Sequence, residues 1–247
     1  MVRFENVSMA YGEHQVLHAL NLQINEGQLA VLIGPSGCGK TTTLQLINRL
    51  ITPTEGTVYV DGKDISTEDP VELRRSIGYV IQEIGLFPHM TIRQNIEIVP
   101  KLLGWDEPRR LARTKELLKL VNIEERYLDS YPAKLSGGQQ QRIGLLRALA
   151  AEPPIILMDE PFGALDPITR GSLQDEIMVL QKKLRKTIVF VTHDMDEALK
   201  IADVIILMKD GVIHQAASPE ELLNDPADDF VSNFIGRHRR CPAGERP

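Results

Sequence analysis

The chain has 247 residues, 43% of them hydrophobic and 25% charged, which is ordinary for a soluble globular protein with one α/β domain or two small ones. Its net charge of -6 argues against a broad nucleic-acid-binding surface, and Cys38 and Cys241 form neither a disulfide framework nor a metal site, as expected in a reducing cytoplasm. It has no apolar run of about 18 residues and no signal-peptide pattern, so we expect it not to span a membrane by itself.

Short β-branched runs separated by turn residues predict strands in the first eighty residues. These runs are Val2–Val7, Leu20–Ile24, Leu29–Ile33, Gly56–Val60 and Ile77–Ile81. The dipeptide Asp61-Gly62 after the fourth run predicts a hairpin turn. Between the third and fourth runs a helix is predicted from about Lys40 to Leu50, because Thr52-Pro53 stops it.

Helical periodicity replaces this pattern from about residue 91 to residue 151, where apolar residues recur at spacings of three, four and seven. We predict an inserted helical subdomain there. The apolar runs Ile155–Met158, Thr187–Val191 and Val204–Met208 then predict buried parallel strands, with a helix at Leu173–Leu184. This alternation predicts an α/β fold around one sheet, followed by a disordered polar tail over residues 237–247.

A phosphate-binding motif joins the third predicted strand to the first predicted helix. Gly34-Pro35-Ser36-Gly37-Cys38-Gly39-Lys40-Thr41 is a complete G-x-x-x-x-G-K-[ST] sequence, and Thr42 follows it. Its glycines allow backbone N–H groups to surround a β-phosphate, while Lys40 supplies positive charge to the β and γ oxygens and the Thr41 hydroxyl suits Mg²⁺. The motif predicts that the chain binds a nucleoside triphosphate.

Two acids and a Ser-Gly-Gly helix start are further candidates. Asp159 and Glu160 end an apolar strand, where Asp159 can hold Mg²⁺ through water and Glu160 can polarise an attacking water. The alternative is a solvated pair of acids at a strand end. Ser136-Gly137-Gly138-Gln139 opens a helix whose amino end can bind an anion. Without the other motifs, an N-capping Ser beside flexible glycines is the favoured interpretation.

With its Leu135-Ser136-Gly137-Gly138-Gln139 sequence the chain resembles the ATP-binding cassette family, over residues 1 to about 236. The resemblance implies an ATP hydrolase with a P-loop, RecA-like α/β core, an antiparallel β subdomain and an inserted α-helical subdomain. The implied boundaries are 1–86 and 152–236 for the core and 87–151 for the helical subdomain. In that family the signature, here Ser136–Gln139, closes over ATP held by the phosphate loop of a second subunit. This implies a head-to-tail homodimer with two ATP molecules and Mg²⁺.

The same resemblance assigns roles to five further residues. Tyr11 corresponds to the aromatic residue that stacks on adenine, with Val16 touching the same base, although a lone Tyr is usually an ordinary surface or core residue. Gln82 corresponds to the glutamine that meets Mg²⁺ and the attacking water, with a polar strand cap as the alternative. Asp166 corresponds to the residue that communicates across the dimer. His193 corresponds to the switch histidine, which contacts the γ-phosphate and shares catalysis with the acid at position 160.

Longer matches resemble one subfamily, the ATPase subunits of bacterial importers for osmoprotectant quaternary amines such as glycine betaine, carnitine and choline. They are Asp69–Thr91, Val99–Trp105 and Pro161–Arg170. The implied partners are an extracytoplasmic solute-binding protein and two integral membrane permease subunits, which would contact the chain between Gln82 and about Trp105. The implied location is the cytoplasmic face of the bacterial cell membrane. Longer members carry paired regulatory modules after the ATPase, which we expect this chain to lack.

Other functions compete with this interpretation. The chain is alternatively the ATPase of an importer for another small solute such as amino acids, or a soluble cassette protein acting on nucleic acid or ribosomes. The acidic balance and the single cassette argue against the latter. A third alternative, an ATP sensor without hydrolysis, predicts loss of Glu160 or His193, and both are present. The segment Ile84–Met90 serves either permease docking or plain subdomain packing.

Overall fold

The computed structural model describes residues 1–82, 84–163 and 165–236, so the predicted disordered tail lies outside the described residues. The chain divides into two compact units, one formed by residues 1–68 with residues from 189 onward, the other by residues 69–188. Throughout the described ranges, no helix combines the length and the apolar character needed to cross a bilayer.

The first unit contains an antiparallel sheet whose strand order is β2-β1-β4-β5. Its strands are β1 (Val2–Tyr11), β2 (His14–Ile24), β4 (Glu55–Val60) and β5 (Lys63–Asp64). The predicted hairpin turn is confirmed, because Val60 pairs with Lys63 and the two residues between them, Asp61 and Gly62, have φ angles of 50° and 78°. This sheet buries the side chains of Phe4, Leu17 and Ile24.

A second set of strands in the first unit has the order β10-β9-β3-β8. They are β3 (Leu29–Ile33), β8 (Thr187–Val191), β9 (Val204–Lys209) and β10 (Val212–Ala217), of which β8 begins at the unit boundary. β3 and β9 run parallel, with Ile33 opposite Leu207. Every residue of β3 and β8 is buried, which explains why these strands are uninterrupted apolar runs in the sequence. The helices of this unit are α1 (Lys40–Ile47), α7 (Met195–Ile201), α8 (Pro219–Asn224) and α9 (Asp229–Phe234).

The second unit is mainly helical and contains the parallel strand pair β6 (Ile77–Val80) and β7 (Ile155–Asp159). Its helices are α2 (Pro70–Arg75), α3 (Ile92–Leu102), α4 (Glu107–Leu120), α5 (Gly137–Leu149) and α6 (Pro167–Leu184). The guanidinium of Arg142 on α5 donates to both carboxylate oxygens of Glu176 on α6, at 2.7 and 2.9 Å. Such a bidentate pair fixes the two helices against each other.

Side-chain caps set where α2 to α6 begin. The capping residues are Asp69, Thr91, Asp106, Ser136 and Asp166, each of which accepts a hydrogen bond from a first-turn backbone N–H. The predicted start of the last of these helices, at Leu173, is therefore wrong, because Asp166 caps it and Pro167 occupies its first position.

The predicted end of α1 at Leu50 is also wrong. The helix stops at Ile47, because Arg49 takes a left-handed φ of 52° and the Leu50 N–H returns to the carbonyl of Gln45 at 2.9 Å. This is the bond pattern of a helix end that normally uses glycine. An arginine in that position gives no sequence signal.

Candidate functional site

The phosphate-loop motif forms a tight turn between β3 and α1. Gly34 has a φ of 153°, and a Cβ atom there would lie 2.0 Å from the carbonyl oxygen of Met208. Gly39 has a φ of 100°, and its Cβ would lie 2.5 Å from Cδ2 of Leu17. At Gly34 a side chain would overlap backbone, and at Gly39 it would overlap Leu17 in a backbone conformation that favours glycine.

Lys40 is the charged residue of this turn and is only 7% exposed. Its ammonium donates to the carbonyl oxygens of Gly34, at 2.8 Å, and Pro35, at 3.0 Å. The N-cap of α1 is Gly39, which offers no side-chain acceptor to the first-turn amides. A positive charge and the amino end of an eight-residue helix therefore converge on the turn, which is the donor set that a phosphate group needs.

Cys38 lies beside this lysine, with its Sγ atom 3.8 Å from the ammonium nitrogen of Lys40. Burial raises the pKa of the Cys38 thiol, and the positive charge of Lys40 only partly opposes that effect. The thiol therefore stays protonated near neutral pH and acts as a small packing group of the turn.

His193 follows β8 and lies in the same unit as the phosphate loop. The backbone N–H of Thr192 donates to the carbonyl of Leu32 at 3.2 Å, so the segment carrying the histidine starts beside the carboxyl end of β3. The Thr192 hydroxyl donates to Glu197 at 2.6 Å and accepts from the N–H of Asp194 at 3.0 Å. The backbone on both sides of the exposed His193 is thus fixed at the sheet edge where the phosphate loop begins.

Tyr11 and Val16 lie on the two strands of the β1–β2 hairpin. Tyr11 pairs with His14 at the hairpin end and is 49% exposed, which leaves its ring accessible for stacking. The carbonyl of Val16 lies 3.3 Å from the Cβ position built on Gly39. The structure therefore brings Val16 to the phosphate loop.

In the second unit, Gln82 and the two acids lie at the same end of the β6–β7 pair. Val80 is opposite Met158 in this parallel register, so Gln82, Asp159 and Glu160 follow at the same edge. Asp159 is 8% exposed. Burial, together with the charge of Asp159, raises the pKa of Tyr79 on β6 to about 12.

Glu160 has an unusual backbone conformation for its residue type, with a φ of 42°. Its carbonyl accepts a hydrogen bond from the N–H of Gly163 at 3.2 Å, which closes a tight turn. The Gln141 side-chain amide, on α5, donates to the carbonyl of the next residue, Pro161. A non-glycine residue in the left-handed region costs roughly 1–3 kcal/mol and persists only where its surroundings hold it.

The Ser-Gly-Gly segment forms the amino end of α5. The Ser136 hydroxyl accepts from the N–H of Gln139 at 3.3 Å, and the Gln139 side chain accepts from the Ser136 N–H at 3.0 Å. A Cβ on Gly138 would lie 2.6 Å from Cγ2 of Thr169 in the first turn of α6. Hydrogen bonds, first from the Thr169 side chain, hold the pKa of Asp166 below its usual range. The structure therefore brings the amino ends of α5 and α6 together.

Sequence reasoning missed the residues that support these groups. Met208 covers Gly34, Glu197 orders the histidine segment, and Gln141 holds the backbone after Glu160. The run of three glutamines beginning at Gln139 is the only sequence signal for any of them, and it does not reveal the bonding partner.

Gly39→Ala is expected to lower the free energy of unfolding by roughly 1–3 kcal/mol more than Gly37→Ala. Both glycines have positive φ angles, of 100° and 81°, but a Cβ meets Leu17 only at Gly39 and nothing within 4 Å at Gly37. The matched pair therefore separates steric overlap from backbone strain. Urea unfolding of both variants measures the difference, and equal losses would show that Leu17 moves aside.

The chain is similar in sequence to known ATP-binding proteins of transporters. The ABC transporter family model matches residues 17–163, more than half of the chain. The chain is 62% identical over 240 residues to the choline transport ATP-binding protein OpuBA of Bacillus subtilis, covering 97% of this chain and 63% of that protein. It is 62% identical over 244 residues to the carnitine transport ATP-binding protein OpuCA of Listeria monocytogenes, covering 98% and 62%. The chain thus spans less than two-thirds of the length of these relatives.

Solved structures resemble the chain closely. CbiO1 from Clostridium perfringens, part of the ABC transporter complex cbiONQ, matches with a TM-score of 0.84 at 27% identity, covering 96% of both chains. The ATP-binding cassette MJ0796, solved as a dimer bound to ADP and Pi, matches with a TM-score of 0.78 at 39% identity, covering 89% of this chain and 99% of that one. These matches confirm the predicted α/β P-loop fold.

Proposed function

Because this chain belongs to the ABC transporter family, we propose that it is the ATP-hydrolysing subunit of a bacterial importer for osmoprotectant quaternary amines. The phosphate-loop turn, with its buried lysine and uncapped helix end, is the observation that carries the ATP assignment. The functions of the relatives OpuBA and OpuCA, choline and carnitine transport, support the substrate class. The osmoprotectant import ATP-binding protein OsmV of Salmonella typhimurium supports the same class, at 52% identity over 245 residues that cover 97% of this chain and 64% of that protein.

The proposed chemistry is hydrolysis of the bond between the β- and γ-phosphates. Lys40 and the amino end of α1 bind the phosphate oxygens. Thr41, Gln82 and Asp159 offer oxygen atoms that would hold Mg²⁺, and the ion would supply positive charge to the phosphate oxygens when bound. Glu160 accepts a proton from the water whose oxygen attacks the γ-phosphorus, and ADP leaves with the electron pair of the broken bond. His193 orients that water.

The proposal includes a head-to-tail homodimer with two ATP molecules. Ser136–Gln139 of one copy would contact the γ-phosphate bound by the other copy, and the amino end of α5 presents these residues at its cap. Asp166, the cap of α6, lies next to that end through the close approach of Gly138 to Thr169. MJ0796, whose dimer holds ADP and Pi, supports this arrangement by its similarity to the chain.

Contact with the permease is proposed at a groove of the second unit, about 390 Å³ in volume. Ile81, Phe87 and Leu102 line it and are 38%, 40% and 57% exposed, which is high for large apolar side chains. The buried amide of Asn95 bonds the backbone of Phe87 in both directions and thereby holds this side of the groove. Such a groove suits a short helix of a membrane subunit. The chain would then lie on the cytoplasmic face of the membrane, and the complete importer would include a solute-binding protein.

The proposal also divides the chain into a core and a helical subdomain. In it, residues 1–86 and 152–236 form the nucleotide-binding core with its β subdomain, and residues 87–151 form the helical subdomain. The helices α3, α4 and α5 fall within residues 87–151. A helical subdomain of this kind carries both the groove residue Phe87 and the Ser136 helix end.

The substrate proposal predicts that quaternary amines stimulate ATP hydrolysis by the complex reconstituted with its permease and solute-binding protein. Choline, carnitine and glycine betaine are expected to raise the rate, whereas sugars leave it at the unstimulated level. The same complex carrying Glu160→Gln serves as the control for contaminating ATPases. Stimulation by amino acids alone would favour the alternative importer, and stimulation by sugars alone would contradict the osmoprotectant proposal.

A further inference from the structure

Three consecutive glutamines at the start of α5 bind three different parts of the backbone. Gln139 completes the capping box with Ser136. Gln140 donates from Nε2 to the carbonyls of Pro132 and Leu135, both at 3.1 Å. Gln141 donates from Nε2 to the carbonyl of Pro161. One helix turn therefore holds its own cap, the segment before that cap and the segment that follows Glu160.

The Gln141 bond is made in the interior of the second unit. Gln141 is 5% exposed and Pro161 is also buried. Pro161 has no N–H, so its carbonyl is the one backbone group by which hydrogen bonding can orient it. A buried amide and a buried carbonyl both lose a partner when such a bond is broken, which makes the bond costly to give up.

The bond acts on the second peptide after a strained residue, because the Pro161 carbonyl belongs to the peptide between Pro161 and Phe162. Glu160 is held at a φ of 42° between the end of β7 and the turn closed by Gly163. The direction of its side chain depends on the orientation of the peptide planes on both sides of its Cα atom. The strand fixes the preceding plane, and the Gly163 N–H holds the following one through the Glu160 carbonyl. Gln141 fixes the next plane, at the Pro161 carbonyl, and the proline ring restricts rotation between these two planes because it locks φ.

We propose that Gln141 is a positioning residue that sets the direction of the Glu160 carboxylate from helix α5. This inference rests on the proposed function, in which Glu160 accepts the proton of the attacking water. Because Ser136 caps α5, the bond also joins the helix that would contact ATP across the dimer to the carboxylate that acts within the same chain. A shift of the helix then moves the carboxylate with it.

The test uses the full chain and steady-state ATP hydrolysis at a fixed protein concentration. Gln141→Met preserves side-chain length but cannot donate, and it is expected to lower kcat about tenfold while KM for ATP changes less than about twofold. Unchanged kcat in this variant would overturn the inference. A wild-type chain without ATP hydrolysis would instead overturn the proposed function, and this inference with it.

Gln141→Glu provides a second measurement, the pH dependence of kcat, which a purely structural role of Gln141 would not change. An ionised carboxylate cannot donate to the Pro161 carbonyl, but a protonated one can, and burial raises the pKa of a carboxyl group. The kcat of this variant relative to wild type is therefore expected to rise as the pH falls. Dividing by the wild-type profile removes the pH dependence that both proteins share. A kcat ratio between Gln141→Glu and wild type that does not change with pH would overturn the inference. This test still applies if Gln141→Met fails to fold.

Gln140→Met is the matched comparison, because it removes the same kind of bond one residue earlier. Its partners, Pro132 and Leu135, precede Ser136 rather than follow Glu160. We expect a higher KM for ATP with kcat within about twofold of wild type, the opposite split from Gln141→Met. The same split in both variants would mean that α5 is merely destabilised, and would overturn the specific role of Gln141.

Discussion

Glu160→Gln is expected to lower kcat for ATP hydrolysis at least about 100-fold, while ATP remains bound and the dimer stays closed. The amide keeps the size of the side chain but cannot accept the proton of the attacking water. The backbone of this residue is held by the Gly163 and Pro161 contacts, so the substitution changes the chemistry and not the position. Single-turnover hydrolysis and gel filtration with ATP measure the two effects.

Glu124→Gln is the matched control for that experiment. Glu124 makes an exposed ion pair with Arg126 at 2.8 Å, and exposed pairs contribute little to stability. Its hydrolysis rate is expected to equal that of the wild-type chain. Near-wild-type hydrolysis by Glu160→Gln would remove the assignment of Glu160 as the proton acceptor.

Lys40→Ala is expected to weaken ATP binding by about 100-fold or more, and to lower hydrolysis at low ATP concentration by the same factor. Each hydrogen bond from a charged group contributes about 1.5–3 kcal/mol, and the ammonium can make two to phosphate oxygens. Titration calorimetry with ATP and Mg²⁺ measures the change. The binding of adenosine, which has no phosphate, is expected to change little.

Lys63→Ala provides the corresponding control in the same unit. Its side chain is 68% exposed and lies 3.6 Å from Glu68. ATP affinity is expected to stay at the wild-type value in this variant. Equal losses in the two variants would indicate a general charge effect and would contradict the assigned role of Lys40.

The contiguous motifs were predictable from the sequence, but the contacts that distant residues make with those motifs were not. The turn around Gly34 and Gly39 has a recognisable pattern because local backbone sterics demand glycine there. The carbonyl of Met208 over Gly34 comes from more than 170 positions away in the chain, so no local pattern indicates it.

The predicted end of α1 and the predicted start of α6 were wrong because the sequence gives no clear local signal for either boundary. The end of α1 depends on Arg49 in a left-handed conformation, which tertiary packing rather than residue preference determines. The start of α6 depends on Asp166, which the sequence suggested for a role in the dimer and which the structure also uses as a cap. Because the family resemblance already implied a dimer role for Asp166, its use as a helix cap was not predicted.

The two carbonyl contacts of Lys40 also affect the entropy of nucleotide binding. A lysine side chain in solution carries about 2 kcal/mol of rotamer entropy, which is lost when a ligand immobilises it. In this fold the bonds to Gly34 and Pro35 already restrict those rotamers. Binding of a phosphate group therefore exchanges acceptors around an ordered ammonium, so its entropy penalty at this residue is small.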